Sequence, residues 1–528
     1  MRDRYEHIDV AGRTGGACDR SDADNRCSAS IMASASKGKA SFGATYTLLR
    51  ILLLFAVILS GSAIACTIGV IAGEVTTDGR PMLWKNRDVH NRDQEYRFFD
   101  EEPYSFVSNT YNGETHRAWA GANQVGFAII NSDVYNLGSN GYTGHDDGEI
   151  MKWALQHCET VDDFQAFLDS TDIVRRRSCH NYACIDAYGG AAMFEVARAS
   201  YVRLDAVDEG GYVIRANYAM SGDMGGRLAG LSRYEQAQSV IDRRADIDIH
   251  FVIDSLASNV GTMWFSPYPL PYDNPESSMP RGYINTYSSI NREQTSSASV
   301  IVGRRPGEST IAYPVLWGFF GQPILGMPFP LWPCAEGVHP SVDGSTRSIL
   351  CHQAMLFTDT AYDLPSGDYL NTYTVSQYHS YFGEARTQVF ETAEDRMNHR
   401  IDSVNSPDYL RALQDSLTAI VEEKYTLGVE LFVREDNIKP DQLRLTISPN
   451  PFNSAVSIAL SQPLYNLDAR IFNLQGRQTA VLHTGTSHTP IQTLTWTPSN
   501  SNNPSGVYML RITTPDNGLV SERLLYIK

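Results

Sequence analysis

Residues 63–88 read AIACTIGVIAGEVTTDGRPMLWKNRD, and the reading of this stretch decides the fold. Two strand-like runs, 66–75 and 80–88, flank Thr76-Thr77-Asp78-Gly79. Asp-Gly between such runs is a strong hairpin signal, because both residues tolerate the left-handed backbone of a tight turn. Folding the segment about Thr77-Asp78 sets Cys66 beside Lys85, Asn86, Arg87 and Asp88, an ionisable cluster that follows the apolar Met82-Leu83-Trp84.

The residues before Cys66 read as an export signal. Leu48-Leu49-Arg50 leads into the nine apolar residues Ile51–Leu59, then Ser60-Gly61-Ser62-Ala63-Ile64-Ala65. A positive flank, a short apolar run and a small-x-small site are the parts of a signal peptide. A membrane span would need about 20 apolar residues to cross ~30 Å of hydrocarbon, so a retained anchor is the weaker reading. Cleavage after Ala65 would leave Cys66 as the new N-terminus and make 1–65 the leader. Met32 as the start would give a leader of more ordinary length, with Lys37, Lys39 and Arg50 in its basic region. Residues 1–31 are expected to be absent from the mature protein under either start.

An N-terminal cysteine carries two functional groups at one position. A free thiol with a pKa of ~8.5 is mostly protonated at neutral pH. An α-amine with a pKa of ~7.7–8.0 can accept its proton, so one residue acts as nucleophile and general base. Asp88 can hold that amine, and Lys85 or Arg87 can favour the thiolate.

Composition narrows the alternatives. The 528 residues carry 43 Lys plus Arg against 60 Asp plus Glu, a net charge of −17, which argues against a nucleic-acid surface. The length implies two or more domains. Walker A, G-x-S-x-G, H-E-x-x-H and C-x-x-C patterns are absent from the sequence, and neither metal nor cofactor is expected. His145-Asp146-Asp147-Gly148-Glu149 reads as a solvated loop whose acidic residues cap the next helix. Asp246–His250 alternates like a strand edge. After export six cysteines remain, of which Cys334 could bridge to Cys351, and Cys179 to Cys184 or Cys158.

Along the mature chain, strands are expected at 117–122, 126–131, 182–186, 191–197, 211–217 and 296–302, with an apolar stretch over 315–332. Helices are expected at 149–157, at 161–168 behind a Thr160 cap, at 231–244, and in a long region over 387–424. Strand groups alternating with helix pairs imply a layered α+β domain over 66–433. The polar linker 434–442 then leads into 443–528, where short strands and turn clusters predict a small all-β, immunoglobulin-like sandwich.

In order along the chain, several motifs resemble the cysteine Ntn hydrolases, and most nearly the isopenicillin N acyltransferase and carcinine hydrolase group. The choloylglycine (bile-salt) hydrolases and cysteine dipeptidases are more distant relatives. The motifs are Cys66-Thr67-Ile68-Gly69, Asp78-Gly79-Arg80-Pro81 and Trp84-Lys85-Asn86-Arg87-Asp88. Gly121-Ala122-Asn123-Gln124-Val125-Gly126-Phe127 with Asn131, then Asn217, then Leu231-Ser232-Arg233-Tyr234, continue the match. The resemblance implies a four-layer αββα Ntn sandwich and cleavage of a linear amide through an acyl-enzyme on Cys66. It further implies Asn131 with Asn217 at the oxyanion, Asp88 orienting the amine, and Arg233 stabilising charge near the thiolate. Bile-salt hydrolases have Arg where Lys85 stands, which counts against a bile salt as substrate.

The last domain resembles the sorting domain of type IX secretion cargo, through Ser448-Pro449-Asn450-Pro451-Phe452-Asn453, Ile471–Arg477 and Ser505–Arg511. That resemblance implies recognition of 443–528 by the secretion machinery, and release or attachment at the outer cell surface. Two alternatives stand beside the amidohydrolase or acyltransferase. One is a cysteine dipeptidase. The other is a non-catalytic surface lipoprotein or binding protein acylated at Cys66.

Overall fold

The computed structural model describes residues 65–528, apart from 139–140, 142, 226–227, 245, 275–278, 345–346, 365–368, 400–405, 434–444, 475–476, 500–502 and 514–518. The hairpin is formed. β1 (Ala65–Ile71) and β2 (Met82–Asp88) pair antiparallel in the register Cys66↔Arg87, Ile68↔Lys85 and Val70↔Leu83. A 3-10 turn over Gly73–Val75 and Gly79 at φ 76° complete the reversal. Gly73 packs so closely that a Cβ there would sit 2.4 Å from the Gly79 carbonyl oxygen.

A meander follows: β3 (Gln94–Phe99), β4 (Phe106–Tyr111), β5 (Ala120–Asn123) and β6 (Ala128–Asp133). Helices α1 (Asp147–His157) and α2 (Val161–Val174) interrupt it. β7 (His180–Ile185), β8 (Ala191–Val196) and β9 (Tyr201–Asp205) finish a seven-stranded sheet in sequential order. β10 (Tyr212–Arg215) returns to β1, so the other sheet is ordered β10-β1-β2. Helix α3 (Leu231–Ile241) and the strand pair β11 (Tyr283–Asn285) and β15 (Tyr369–Asn371) flank it. β12 (Thr295–Val302), β13 (Val315–Phe320) and β14 (Phe329–Leu331) extend that sheet to six strands. Helices α4 (Ile349–Ala361), α5 (Thr372–His399) and α6 (Pro407–Phe432) close the domain.

The layers follow from the two-residue period of the strands. On β6 and β7, Ala128, Ile130, Ala183 and Ile185 join the core shared with the six-stranded sheet, whereas Ile129, Tyr182 and Cys184 join α1 and α2 in a second core. Helices α4 and α6 pack on β13 and β14. The order is helix, sheet, sheet, helix. Burial on both faces explains why β1, β2, β12 and β13 are buried along their whole length.

Several expectations need correction. Asp246–His250 is not a strand edge: Ile247 makes a single bridge to Thr76, and Asp248 caps a helical turn by accepting from the Phe251 amide. The region 90–115 holds β3 and β4. The helical region expected over 387–424 is two helices, α5 and α6, and α4 was not foreseen. No disulfide joins the described cysteines; Cys66, Cys158, Cys179, Cys184, Cys334 and Cys351 are free thiols. Cys158 and Cys184 are buried as apolar residues in the second core. The expected linker 434–442 lies outside the described residues.

The C-terminal module is all β: β16 (Leu445–Ser448), β17 (Val456–Asn473), β18 (Gln478–Trp496), β19 (Gly506–Thr513) and β20 (Leu519–Tyr526). Short strands were expected here, but 456–473 runs on as one strand, β17, whose pairing with β18 shifts register four times. Such bulges bend and twist a strand. The module buries a core of its own around Phe452, Trp496, Tyr508 and Tyr526.

Candidate active site

The strand period divides the side chains around Cys66 between two faces of the six-stranded sheet. Cross-strand partners point the same way, so Cys66 lies with Arg87 and Lys85 on one face, and Ala65 lies with Asp88 on the other. The face carrying Cys66 looks at the seven-stranded sheet. There Lys85 Nζ donates to Asn131 Oδ1 at 2.6 Å and to the Trp119 carbonyl at 2.7 Å. The Arg87 guanidinium lies 4.4 Å from the ring centroids of both Tyr111 and Trp119 and donates to Gln94.

An ammonium can only donate, so the Asn131 oxygen must face Lys85 and its Nδ2 the other way. Nδ2 donates to Asp147 Oδ2 at 2.9 Å. Asp147 is the first residue of α1, whose N-cap Asp146 forms a capping box with Glu149. The sequence identified the cap; the sheet position of Asn131 makes it part of the site.

On the opposite face Asp88 is fully buried. Its Oδ1 accepts from Thr295 at 2.8 Å, while its Oδ2 has no hydrogen-bond partner and lies 3.4 Å from Arg292 and 3.7 Å from Arg233. Burial pushes the carboxyl pKa up, against the pull of Arg292, Arg233 and Thr295. Arg233, near the start of α3, donates to the Cys66 carbonyl at 2.6 Å, to Thr67 Oγ1 at 2.8 Å and to Asn217 Oδ1 at 2.8 Å.

Asn217 Oδ1 also accepts from the Cys66 backbone nitrogen at 2.9 Å, and Asn217 Nδ2 donates to the Asp133 carbonyl at 3.1 Å. Here Cys66 still follows Ala65, so this nitrogen is a peptide amide standing where the α-amine of a cleaved chain would be. The Cys66 nitrogen is therefore held by Asn217, and Asp88 stands one strand position away, opposite Ala65.

The Cys66 side chain opens on a cavity of about 250 Å³ shared with Lys85, Arg87, Tyr111, Trp119, Asn131, Asp133 and Asp147. Tyr111 of β4 and Ser132, Asp133 and Asp147 supply part of its wall. Burial raises the thiol pKa, opposed by Lys85 and aided by Asp88 and Asp133. Burial also lowers Lys85 to about 8. A larger cavity of about 610 Å³ lies elsewhere, beside α5. Its ionic groups pair among themselves: His250 with Glu394 at 3.5 Å, and Arg386 with Asp254. It sits apart from Cys66, and the smaller cavity is the one with a nucleophile.

Sequence reasoning missed Asp133 and His180. His180 Nε2 lies 2.7 Å from Asp133 Oδ1 and 3.5 Å from Asp147 Oδ2. Among the described residues these three are the group with the donor types and spacing of a metal site. The imidazole already bonds Asp133, and Lys85 places positive charge near both carboxylates.

Residues 75–239 match the family model described as acyl-coenzyme A:6-aminopenicillanic acid acyl-transferase. The observed order of helix, sheet, sheet and helix is the αββα layering that the resemblance to Ntn hydrolases implies. The matched segment contains Lys85, Arg87, Asp88, Asn131, Asn217 and Arg233, while Cys66 lies ahead of it. Residues 446–527 match the secretion system C-terminal sorting domain. Among solved structures, similarity is found to penicillin V acylase from Agrobacterium tumefaciens (13% identity, TM-score 0.31, covering 51% of this chain and 86% of that one). It is also found to a mutant conjugated bile acid hydrolase from Clostridium perfringens (10%, 0.32, 50% and 92%) and to the Caenorhabditis elegans ortholog of N-acylethanolamine-hydrolyzing acid amidase (11%, 0.31, 46% and 94%). No curated protein matches the sequence.

Proposed function

We propose that the chain is exported, cleaved between Ala65 and Cys66, and then acts as an N-terminal cysteine amidohydrolase or acyltransferase on a linear amide. One observation carries the reading: the Cys66 nitrogen rests on Asn217 while its thiol opens into the cavity of Lys85 and Asn131. A single residue thus presents a base and a nucleophile on opposite sides of one Cα, each with its own partner.

The α-amine takes the thiol proton, and Lys85 supports the thiolate by charge. The thiolate sulfur bonds the substrate carbonyl carbon, and the π electrons move to oxygen. Asn131 Nδ2 has a second N–H to offer that oxygen, since its first goes to Asp147; one such donor is worth about 10²–10³ in rate. Collapse breaks the C–N bond, and the leaving amine takes its proton from the α-ammonium. Water or an acceptor amine then attacks the thioester, loses a proton to the α-amine, and releases the sulfur. Asn217 and Arg233 position the amine, and Asp88 with its unpartnered Oδ2 offers buried negative charge beside the new N-terminus. Arg87, lying against both Tyr111 and Trp119, shapes the cavity wall. The sorting domain at 446–527 supports export, with the secretion machinery as its reader.

The test is mass spectrometry of the exported chain together with hydrolysis of N-acyl amino acids, penicillins, bile-salt conjugates and dipeptides. An unmodified Cys66 α-amine and turnover lost in Cys66→Ser are expected. A diacylglyceryl adduct on Cys66 would end the catalytic reading, and dominance of dipeptides would move the substrate class.

A further inference from the structure

We infer that His180 is a positioning residue of this site: its Nε2–H holds the Asp133 carboxylate and draws in Asp147, which aims the Asn131 amide. The inference rests on the acyl-transfer reading above. His180 and Asp133 are direct cross-strand partners on β7 and β6, so their side chains share a face. His180 is 3% exposed, and its Nδ1 is buried without a partner among the described residues. The ring is therefore tied only through Nε2, 2.7 Å from Asp133 and 3.5 Å from Asp147.

Asp147 holds an amide of the site through its side chain, and Asp133 holds one through its backbone. The Asp147 side chain accepts from Asn131 Nδ2 at 2.9 Å, and the Asp133 carbonyl accepts from Asn217 Nδ2 at 3.1 Å. Without a donor between them the two carboxylates, whose ligand atoms and that of His180 lie within 4.8 Å of one another, would repel. Asp147 would swing away, and Asn131 would be held on one side only, by Lys85. A displaced donor costs rate, because a misplacement of about 1 Å can cost 10²-fold.

The groups facing the imidazole are Asp133 from β6, Asp147 from α1, Lys85 from β2 and Tyr182 from its own strand. Burial disfavours the imidazolium and Lys85 opposes it, but Asp147 and Asp133 outweigh both and hold its pKa above the ordinary histidine value.

The experiment uses the full chain after export, with His180→Phe, His180→Gln and Asp147→Asn. His180→Phe keeps the ring volume and removes the donor; His180→Gln restores an N–H without a titrating charge. We expect kcat to fall about tenfold to hundredfold in His180→Phe, with KM within about threefold, and to recover in part in His180→Gln. Proton NMR should show, beside the raised His250, a second imidazole titrating above free histidine that is absent in His180→Gln and shifted down in Asp147→Asn. A folded His180→Phe with wild-type kcat, or a His180 imidazole (the signal lost in His180→Gln) titrating at or below free histidine, overturns the clamp. If the wild-type chain hydrolyses no amide, the function reading fails, and the titration still decides whether the clamp exists.

Discussion

Burial lowers the Lys85 ammonium to about 8, against the upward pull of Cys66. Below that value Lys85 is charged and supports both the thiolate and the Asn131 orientation; above it, that support is lost. A kcat/KM profile should therefore fall on the alkaline side near pH 8, and Lys85→Arg should push the fall to higher pH because guanidinium does not titrate there. Identical alkaline limbs in the two proteins would remove Lys85 from the mechanism. Asn131→Ala is expected to reduce kcat about 10²–10³-fold, measured in single turnover against wild type. At this scale the sequence was legible where residues are neighbours along the hairpin: Cys66 and Lys85 could be placed by folding one segment. Asp133 and His180 could not, because 47 positions separate them and only the β6–β7 register brings them together.

Elements were legible where local chemistry specifies them. Thr160 and Asp146 each form a capping box, with Asp163 and Glu149. Thr160→Ala should cost about 1 kcal/mol in urea unfolding. The hairpin turn is also tied from outside, by Arg80 donating twice to Glu308, with NH2 to Oε1 at 2.8 Å. Burial alone would raise the Glu308 pKa, but Arg80 and Arg305 hold it at about 2 instead of 4.5. This depressed carboxyl contributes stability above pH 4.5 that is lost as pH falls through about 2. Glu308→Gln should flatten acid unfolding in that window; an unchanged acid profile would show the pair to be inert. β3 was illegible because Gln94, Glu95 and Arg97 break the apolar pattern, and all but Arg97 are buried. Their polar groups find partners in other elements, as Asn109 Nδ2 does on the Glu95 carbonyl.

On the scale of the molecule, the sorting module draws its core from its own strands. Deletion of 443–528 should leave kcat of the remaining domain unchanged while export fails, followed by fractionation and by assay of each fraction. Loss of kcat on deletion would mean that the module completes the enzyme. A layered build was legible because strand groups alternate with helix pairs, and its αββα order only through the family resemblance; the length of β17 was not, since Pro463 and polar residues within it read as a break.

Ala65 is already a strand residue, opposite Asp88 and 7% exposed. If the proposed cleavage is made, a chain that keeps its leader can thus adopt the same sheets as a trimmed one, the two differing in residues 1–65 and in whether Cys66 carries a free α-amine. Circular dichroism and melting curves would report both as native. A preparation made without export would look sound and hold a latent protein, so specific activity should be counted per free N-terminal cysteine and not per folded chain.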